Sequence, residues 1–220
     1  MTLGVRMVML GRQGAGKGTQ CVRLSRHYVV PHISTGDMLR AAVREGTELG
    51  LKAAEIMADG ALVPDDLMIG IVEERLGGNG TTARGYVLDG FPRTVGQAEA
   101  LAEITSARPL DVVVDLDVAK QVVLERLAGR RVCDDCAANY SVVAPPKYGW
   151  VCDNCGGDVV QREDDTPAAI ETRLAAYESE TAPLIAWYEQ RGLLEVVDGL
   201  GTAAEVTDRL LSAIDARRGS

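Results

Sequence analysis

Between Val5 and Thr19 the chain reads V-R-M-V-M-L-G-R-Q-G-A-G-K-G-T. A short apolar run, Met7 to Leu10, breaks into a loop carrying Gly11, Gly14, Gly16 and Gly18. The pattern beyond it fits a helix over Gln20 to Tyr28, with Cys21, Val22 and Leu24 available for burial. Gly11-x4-Gly16-Lys17 has the spacing of a P-loop. Its glycines let backbone N–H groups turn inward on a phosphate chain, and the helix N-terminus adds its positive dipole end. Lys17 supplies a mobile charge for the β- and γ-phosphates. In a chain with 24 glycines the bare spacing also arises by chance; the strand before it and the helix after it turn it into an expectation of phosphate binding. Gly18 stands where most P-loops carry a metal-binding Ser or Thr, and the hydroxyl comes one place later, at Thr19. A distant carboxylate is therefore expected to share the metal.

A length of 220 residues suits one α/β domain with insertions better than two equal domains. The apolar fraction of 46% is ample for a core, and an aromatic content of 4% leaves Val, Leu, Ile and Ala to fill it. A net charge of −9 argues against a generic nucleic-acid binder. Nineteen of the 23 basic residues are Arg, whose planar forks suit phosphate clamping, although base composition produces the same skew. The first apolar run is too short for a signal peptide, and none reaches membrane-spanning length. The expected compartment is the cytoplasm, where the five Cys would be reduced or metal-bound.

Tyr28 to Ile33 reads as a second strand broken by Pro31, and Ser34-Thr35-Gly36-Asp37 as loop and N-cap before a helix over Met38 to Arg44. Leu49 to Asp59 reads as a short helix closed by Gly60, and Pro64 as the start of another that reaches Leu76. Tyr86 to Asp89 is a buried strand ending on a carboxylate, followed by Gly90-Phe91-Pro92-Arg93-Thr94 and a helix carrying Gln97. Leu110 to Leu116 predicts a strand and Val118 to Leu127 a helix. From Cys133 to Asp165 periodicity vanishes. Helices are expected again at Pro167 to Tyr177, Pro183 to Gln190 and Glu205 to Ala216, with a strand at Leu193 to Val197. Such alternation predicts a parallel sheet covered on both faces.

Gly11 to Gln20, H-I-S-T-G-D-M-L-R at 32–40, L-D-G-F-P-R-T at 88–94 and Gly129-Arg130-Arg131 together resemble the adenylate kinase family. They occur in family order over almost the whole chain; Gln13 departs from it, since many members carry Pro there. The resemblance implies a P-loop NTPase-type five-stranded parallel sheet covered by helices (1–33, 64–128 and 166–220). A small helical insertion at 34–63 would bind AMP, and 129–165 would form a zinc-stapled lid. It implies a monomer that reversibly moves the γ-phosphoryl group of MgATP to AMP, giving two ADP, for adenine nucleotide homeostasis. ATP, AMP and ADP are then the partners, with no nucleic acid and no membrane. No covalent intermediate is expected, because no nucleophile stands beside the P-loop.

Asp89 is the expected carboxylate: a strand-end residue beside the P-loop can accept from water bound to Mg²⁺, or merely cap the next loop. By resemblance, Arg40 and Arg93 hold the acceptor phosphate, with Gly90, Phe91 and Pro92 beside it. Arg130 matches a residue on the donor phosphates, Arg162 and Arg173 clamp the transferring group, and Arg126 joins them. The catalytic set is Lys17, Arg93, Arg130, Arg162 and Arg173, since phosphoryl transfer asks mainly for positioning and charge. The bland reading is solvated surface arginine. Gly14, Ala15, Gly16, Lys17, Gly18 and Thr19 would hold ATP phosphates, with Asn139 and Tyr140 approaching from the lid and backbone near Gly201 meeting the adenine. Thr35 and Gln97 look like readers of the acceptor base, walled by Ala61, Leu62 and Val63; alternatively they are a helix cap and a solvated helix residue. His27 and His32 fit surface or packing positions.

Cys133-x2-Cys136-x15-Cys152-x2-Cys155 is a zinc signal: two CxxC knuckles close a tetrahedral thiolate site and staple a loop that lacks an apolar pattern. Four thiolates leave no open position, so the metal is expected to be structural; disulfides or a redox pair are the alternatives. Cys21 lies outside this set and reads as a small buried hydrophobe. Two rival functions remain. One is a relative that phosphorylates UMP, CMP or GMP, or uses GTP as donor; the other is a zinc-ribbon nucleic-acid module, disfavoured by the acidic balance.

Overall fold

Residues 4–59, 61–77, 80, 82–162 and 164–219 are described by the computed structural model. The chain runs β1 (Arg6–Leu10), α1 (Lys17–Tyr28), β2 (His32–Ser34), α2 (Thr35–Arg44), α3 (Glu48–Ala58), α4 (Asp65–Gly77), β3 (Tyr86–Asp89) and α5 (Val95–Ile104). It continues through β4 (Val112–Asp117), α6 (Lys120–Ala128), β5 (Arg130–Cys133), β6 (Asn139–Ser141), β7 (Val159–Val160) and α7 (Pro167–Ala176). A π-helical turn (Tyr177–Thr181), α8 (Pro183–Gln190), β8 (Leu194–Asp198) and α9 (Ala203–Arg217) complete it.

Alternation along the strands sets two apolar faces. In β1, Met7 and Met9 join one core cluster while Val8 and Leu10 join the other, as a period of two requires. Val87 opposes Tyr86 and Leu88 in β3, and Val112 and Val114 oppose Val113 in β4. Helices α1, α6, α7 and α9 cover the first face; α2, α4, α5 and α8 cover the second. Each fully buried Val or Leu contributes about 1.5–3 kcal/mol of transfer free energy. A sheet covered on both sides explains why its strands read as unbroken apolar runs.

The five strands are parallel in the order β2-β3-β1-β4-β8, which is the expected sheet. The chain leaves β1 toward one side and later returns to its other side, which opens a crevice at the C-terminal edge. Register places Met9 opposite Asp89 and Leu10 opposite Asp115, so both carboxylates reach that edge.

Helices α2 and α3 form an antiparallel pair capped by side chains. Ser34 accepts from the Asp37 N–H at 3.3 Å, and Thr47 from the Gly50 N–H at 3.1 Å. Their backbones touch at Gly50, where a Cβ would lie 2.0 Å from the Ala42 carbonyl oxygen. No larger residue fits there without separating the pair.

Several boundaries differ from the sequence expectation. Helix α1 begins at Lys17 rather than Gln20, because the glycine loop turns directly into helix at Gly16. It ends when Val29 takes φ 54, which with Pro31 shortens the second strand to His32–Ser34. Helix α2 starts at Thr35 rather than Met38, because Ser34 is its cap. The expected stop at Gly60 lies outside the described residues. Between α7 and α8 the π-helical turn continues the helical path. The stretch read as aperiodic, Cys133 to Asp165, contributes β6, β7 and the end of β5 to a three-stranded antiparallel sheet, β6-β5-β7. Its strands span two to four residues, too short to show alternation.

Candidate active site

The phosphate cradle begins where β1 stops. Gly14 has φ 82, and a Cβ there would meet the Val123 carbonyl and Leu127 Cγ of α6 at 2.9 Å, so the loop closes on that helix only as glycine. At Gly16 no side chain caps α1. The first-turn N–H groups therefore face the cleft, and with the helix dipole they form an anion seat. Lys17 folds over the loop, donating to the carbonyls of Gly11 at 2.6 Å and Arg12 at 2.9 Å. Withdrawal from water lowers its ammonium pKa to about 8, against the opposing pull of Asp89 and with help from Arg93.

Asp89 ends β3 beside that loop. Burial raises its carboxyl, but His32, Lys17 and Arg93 more than offset this and leave it below its ordinary value. A Cβ on Gly18 would sit 3.7 Å from Asp89 Oδ2 and 3.8 Å from Asn139 Nδ2. The missing side chain thus leaves room between the carboxylate and the Asn139 amide. An ionised carboxylate and the Thr19 side chain beside a phosphate seat suit a hard, oxygen-bound Mg²⁺. His32, expected at a surface or packing position, is mostly buried and lies 3.5 Å from Asp89, a contact the sequence did not signal.

Arginines from several elements converge opposite the cradle. Arg130 of β5 bonds Asp165 through Nε at 2.7 Å and through a second, shorter contact. Arg162 bonds Asp164 at 2.8 and 2.5 Å. Arg173 of α7 reaches the Asp164 carbonyl at 3.0 Å and the Asp165 carboxylate at 3.3 Å. Burial works to raise the Asp164 carboxyl, yet Arg162, Arg173 and Arg40 hold it at about 2. Arg173 is lowered to about 10, chiefly by burial and then by Arg130 and Arg162, while Asp164 opposes the shift. Asp164 and Asp165 were not anticipated; their only sequence signal is the acidic run Glu163-Asp164-Asp165 that follows Arg162.

One cleft of about 680 Å³ is lined by Gly14, Gly16, Lys17, Gly18, Thr19, Asp89, Gly90, Pro92, Arg40, Arg93, Arg126, Arg130, Asn139, Tyr140, Arg162 and Arg173, within the about 300–1,000 Å³ usual for ligand sites. A smaller pocket opens beside it, lined by Thr35, Arg40, Ala61, Leu62, Val63, Gly90, Arg93, Gln97 and Arg173, with Leu39, Met57 and Met68 as apolar walls. Apolar sides with a few polar groups suit a planar base carrying a phosphate toward the arginines. Thr35 is buried and donates to the Asp89 carbonyl at 3.4 Å. Gln97 is also buried, not solvated: it accepts from the Arg93 N–H at 2.8 Å and donates to Asp65 at 2.7 Å.

Three expected contacts fall outside both cavities. Ala15 and Phe91 are buried core side chains, and Gly201 lines neither pocket. Arg126 ties that region together, donating to the carbonyls of Ala15 at 3.0 Å and Gly199 at 3.3 Å.

The four spaced cysteines come together. Cys133 Sγ lies 3.4 Å from Cys155 Sγ, and Cys136 Sγ lies 3.5 Å from Cys152 Sγ, all four sulfurs being within 4.8 Å of one another. Tetrahedral zinc with about 2.3 Å bonds sets sulfur separations near 3.8 Å, so this set is compatible with structural zinc. The Tyr140 ring lines the cleft, but its hydroxyl lies 3.4 Å from Cys152 Sγ. That contact leads the influences that lower the Cys152 thiol to about 6.

A glycine cradle at a helix N-terminus, with a lysine, a strand-end carboxylate and converging arginines on this sheet, defines a nucleotide-binding P-loop phosphotransferase. Comparison with known proteins narrows that class. The family model for adenylate kinase matches residues 9–193. An adenylate kinase of Citrifermentans bemidjiense is 52% identical over 215 residues, covering 96% of this chain and 100% of that one. Those of Moorella thermoacetica and Bacillus licheniformis are each 50% identical over 198 residues, covering 89% of this chain and 91% of theirs. The chain belongs to the adenylate kinase family.

Proposed function

We propose that this chain performs its family's reaction, the reversible transfer of the γ-phosphoryl group of ATP to AMP giving two ADP, with two nucleotides meeting head to head across the arginine cluster. The observation that carries this reading is the junction of the two cavities: Gly90, Arg40, Arg93 and Arg173 line both. The smaller pocket takes AMP, with Thr35 and Gln97 beside the base and Arg40 and Arg93 on the phosphate. The P-loop and Lys17 take the ATP phosphates; Arg126 and Arg130 lie on the donor side, and Asn139 and Tyr140 approach from the lid. Arg162 and Arg173 flank the group in transit.

In-line transfer leaves little bond-making to side chains, so this chain's work is positioning and charge stabilisation. Asp89 and Thr19 would hold Mg²⁺, which, when bound, neutralises charge on the phosphate oxygens. Cys133, Cys136, Cys152 and Cys155 would hold a structural zinc. The reading divides the chain into a core (1–33, 64–128, 166–220), an AMP-binding insertion (34–63) and a lid (129–165), whose closure excludes water and limits wasteful ATP hydrolysis. It takes the enzyme as a cytoplasmic monomer without nucleic-acid or membrane partners. No helix among the described residues is long and apolar enough to cross a membrane.

The deciding experiment measures ADP formation from ATP with AMP, GMP, CMP or UMP, each with and without Mg²⁺. Mg²⁺-dependent turnover with AMP far above the others is expected. Comparable use of UMP or CMP would overturn the AMP assignment.

A further inference from the structure

Behind the phosphate cradle, Cys21 of α1, His32 of β2 and Asp89 of β3 converge. A thiol sulfur, an imidazole nitrogen and a carboxylate oxygen all lie within 4.8 Å of one another. His32 Nε2 is buried and stands 3.5 Å from Asp89 Oδ2, a contact too long to satisfy it as a good hydrogen bond would. A buried polar atom so weakly paired is costly, so the geometry leaves a place for a closer partner. Tetrahedral zinc with nitrogen and oxygen ligands at about 2.0–2.1 Å sets them about 3.3–3.4 Å apart, close to the observed separation. Sulfur, nitrogen and oxygen with a fourth position open is a zinc-type donor set, whereas Mg²⁺ takes oxygen alone. Asp89 also lines the cleft, which gives an ion a way in.

We infer that Cys21, His32 and Asp89 form a second metal site, selective for a thiophilic divalent cation such as Zn²⁺ or Co²⁺, and that filling it inhibits the enzyme. Binding replaces the thiol proton with the metal and releases that proton to solvent. Inhibition follows because the ion takes the carboxylate assigned to Mg²⁺; this half rests on the proposed role of Asp89, and the binding half does not.

The test uses the full chain with its four-cysteine site loaded with zinc and Co²⁺ as the probe, zinc release being followed in parallel. One further equivalent of Co²⁺ per chain is expected without zinc loss, giving a sulfur-to-cobalt charge-transfer band. Turnover should fall as it binds, and a chelator should restore it. Cys21→Ala and His32→Asn, on different elements, should each lose the second equivalent, and Cys21→Ala should keep its Mg²⁺-dependent rate. No second equivalent in the native chain overturns the site, as does binding that lacks the thiolate band or survives Cys21→Ala. Binding that leaves turnover unchanged would support the site and overturn the placement of Asp89 beside Mg²⁺.

Discussion

Arg44, the last residue of α2, donates to the backbone carbonyl of Asp134 at 3.2 Å, across 90 positions of sequence. Asp134 lies inside the first cysteine knuckle, so this bond fastens the proposed AMP-binding insertion to the proposed lid. An exposed hydrogen bond contributes about 0.5–1.5 kcal/mol. Arg44→Ala should therefore cut the closed population and raise KM for AMP about 2–10-fold, while kcat holds or rises if reopening limits turnover. Steady-state kinetics check this, and an unchanged KM would mean that the bond has no part in closure.

Lys17→Met should separate activity from stability. Loss of its phosphate contact should cost about 3–4 kcal/mol of transition-state stabilisation, roughly 10²–10³-fold in kcat. Stability should move the other way. An unfolded lysine holds its proton up to the model-compound value of 10.5, whereas folded Lys17 loses it at about 8. Below pH 8 its charge therefore opposes folding, by at most about 3 kcal/mol. Wild-type stability should rise as pH climbs from 8 to 10.5, and the Met variant should lack that rise. Melting temperatures of both proteins across this window, beside turnover at pH 7, form the test; a variant with near-normal turnover would sink the assignment.

Zinc removal, or Cys152→Ser with Cys155→Ser, should lower thermal stability substantially and low-temperature activity much less. Four thiolates leave the metal no open position for substrate. Besides the cysteine sulfurs, the described apolar cluster of the proposed lid holds only Val159, Ala138 and Tyr140, which is little to sustain a fold. Metal analysis, melting curves and a cold rate assay separate this from catalytic zinc, for which rate would track metal while the melting point stayed put.

Gln97→Ala should weaken AMP use and destabilise the fold together. Its amide joins the Arg93 backbone to Asp65, and losing these two part-buried hydrogen bonds costs about 1–3 kcal/mol together. Thr35→Val, nearly isosteric, should relax the preference for AMP over GMP with a smaller loss of stability. A competition assay with both acceptors reads the first effect and denaturant titration the second. If neither variant alters acceptor choice, the base is read elsewhere.

The P-loop and the placement of Asp89 beside it were legible because a buried strand and the loop that follows it leave a contiguous trace. The convergence of the four cysteines was legible because ligand spacing survives without any periodic background. Local cap geometry decided what was misjudged: Ser34 and Gly16 each start a helix three residues before the apolar pattern does. Asp65 was missed as the partner of Gln97, since a bond between two helices 32 residues apart has no periodicity. Asp164 and Asp165 were passed over because acidic residues in a loop usually face solvent. Here Asp165 is 2% exposed, and only the converging arginines make that tolerable.

That aspartate pair has a kinetic consequence. Each guanidinium fork of Arg130 and Arg162 holds a carboxylate of its own chain, so an arriving phosphate has to displace an anion already in place. Stray inorganic phosphate or sulfate offers little beyond what Asp164 and Asp165 already provide, whereas a nucleotide adds its base and its grip on the P-loop. On departure the same carboxylates reclaim the forks, so a product need not leave bare positive charge behind it. If Arg130 and Arg162 bind phosphate as proposed, the pair would act as a tethered competitor, shortening the residence of small anions and easing product escape.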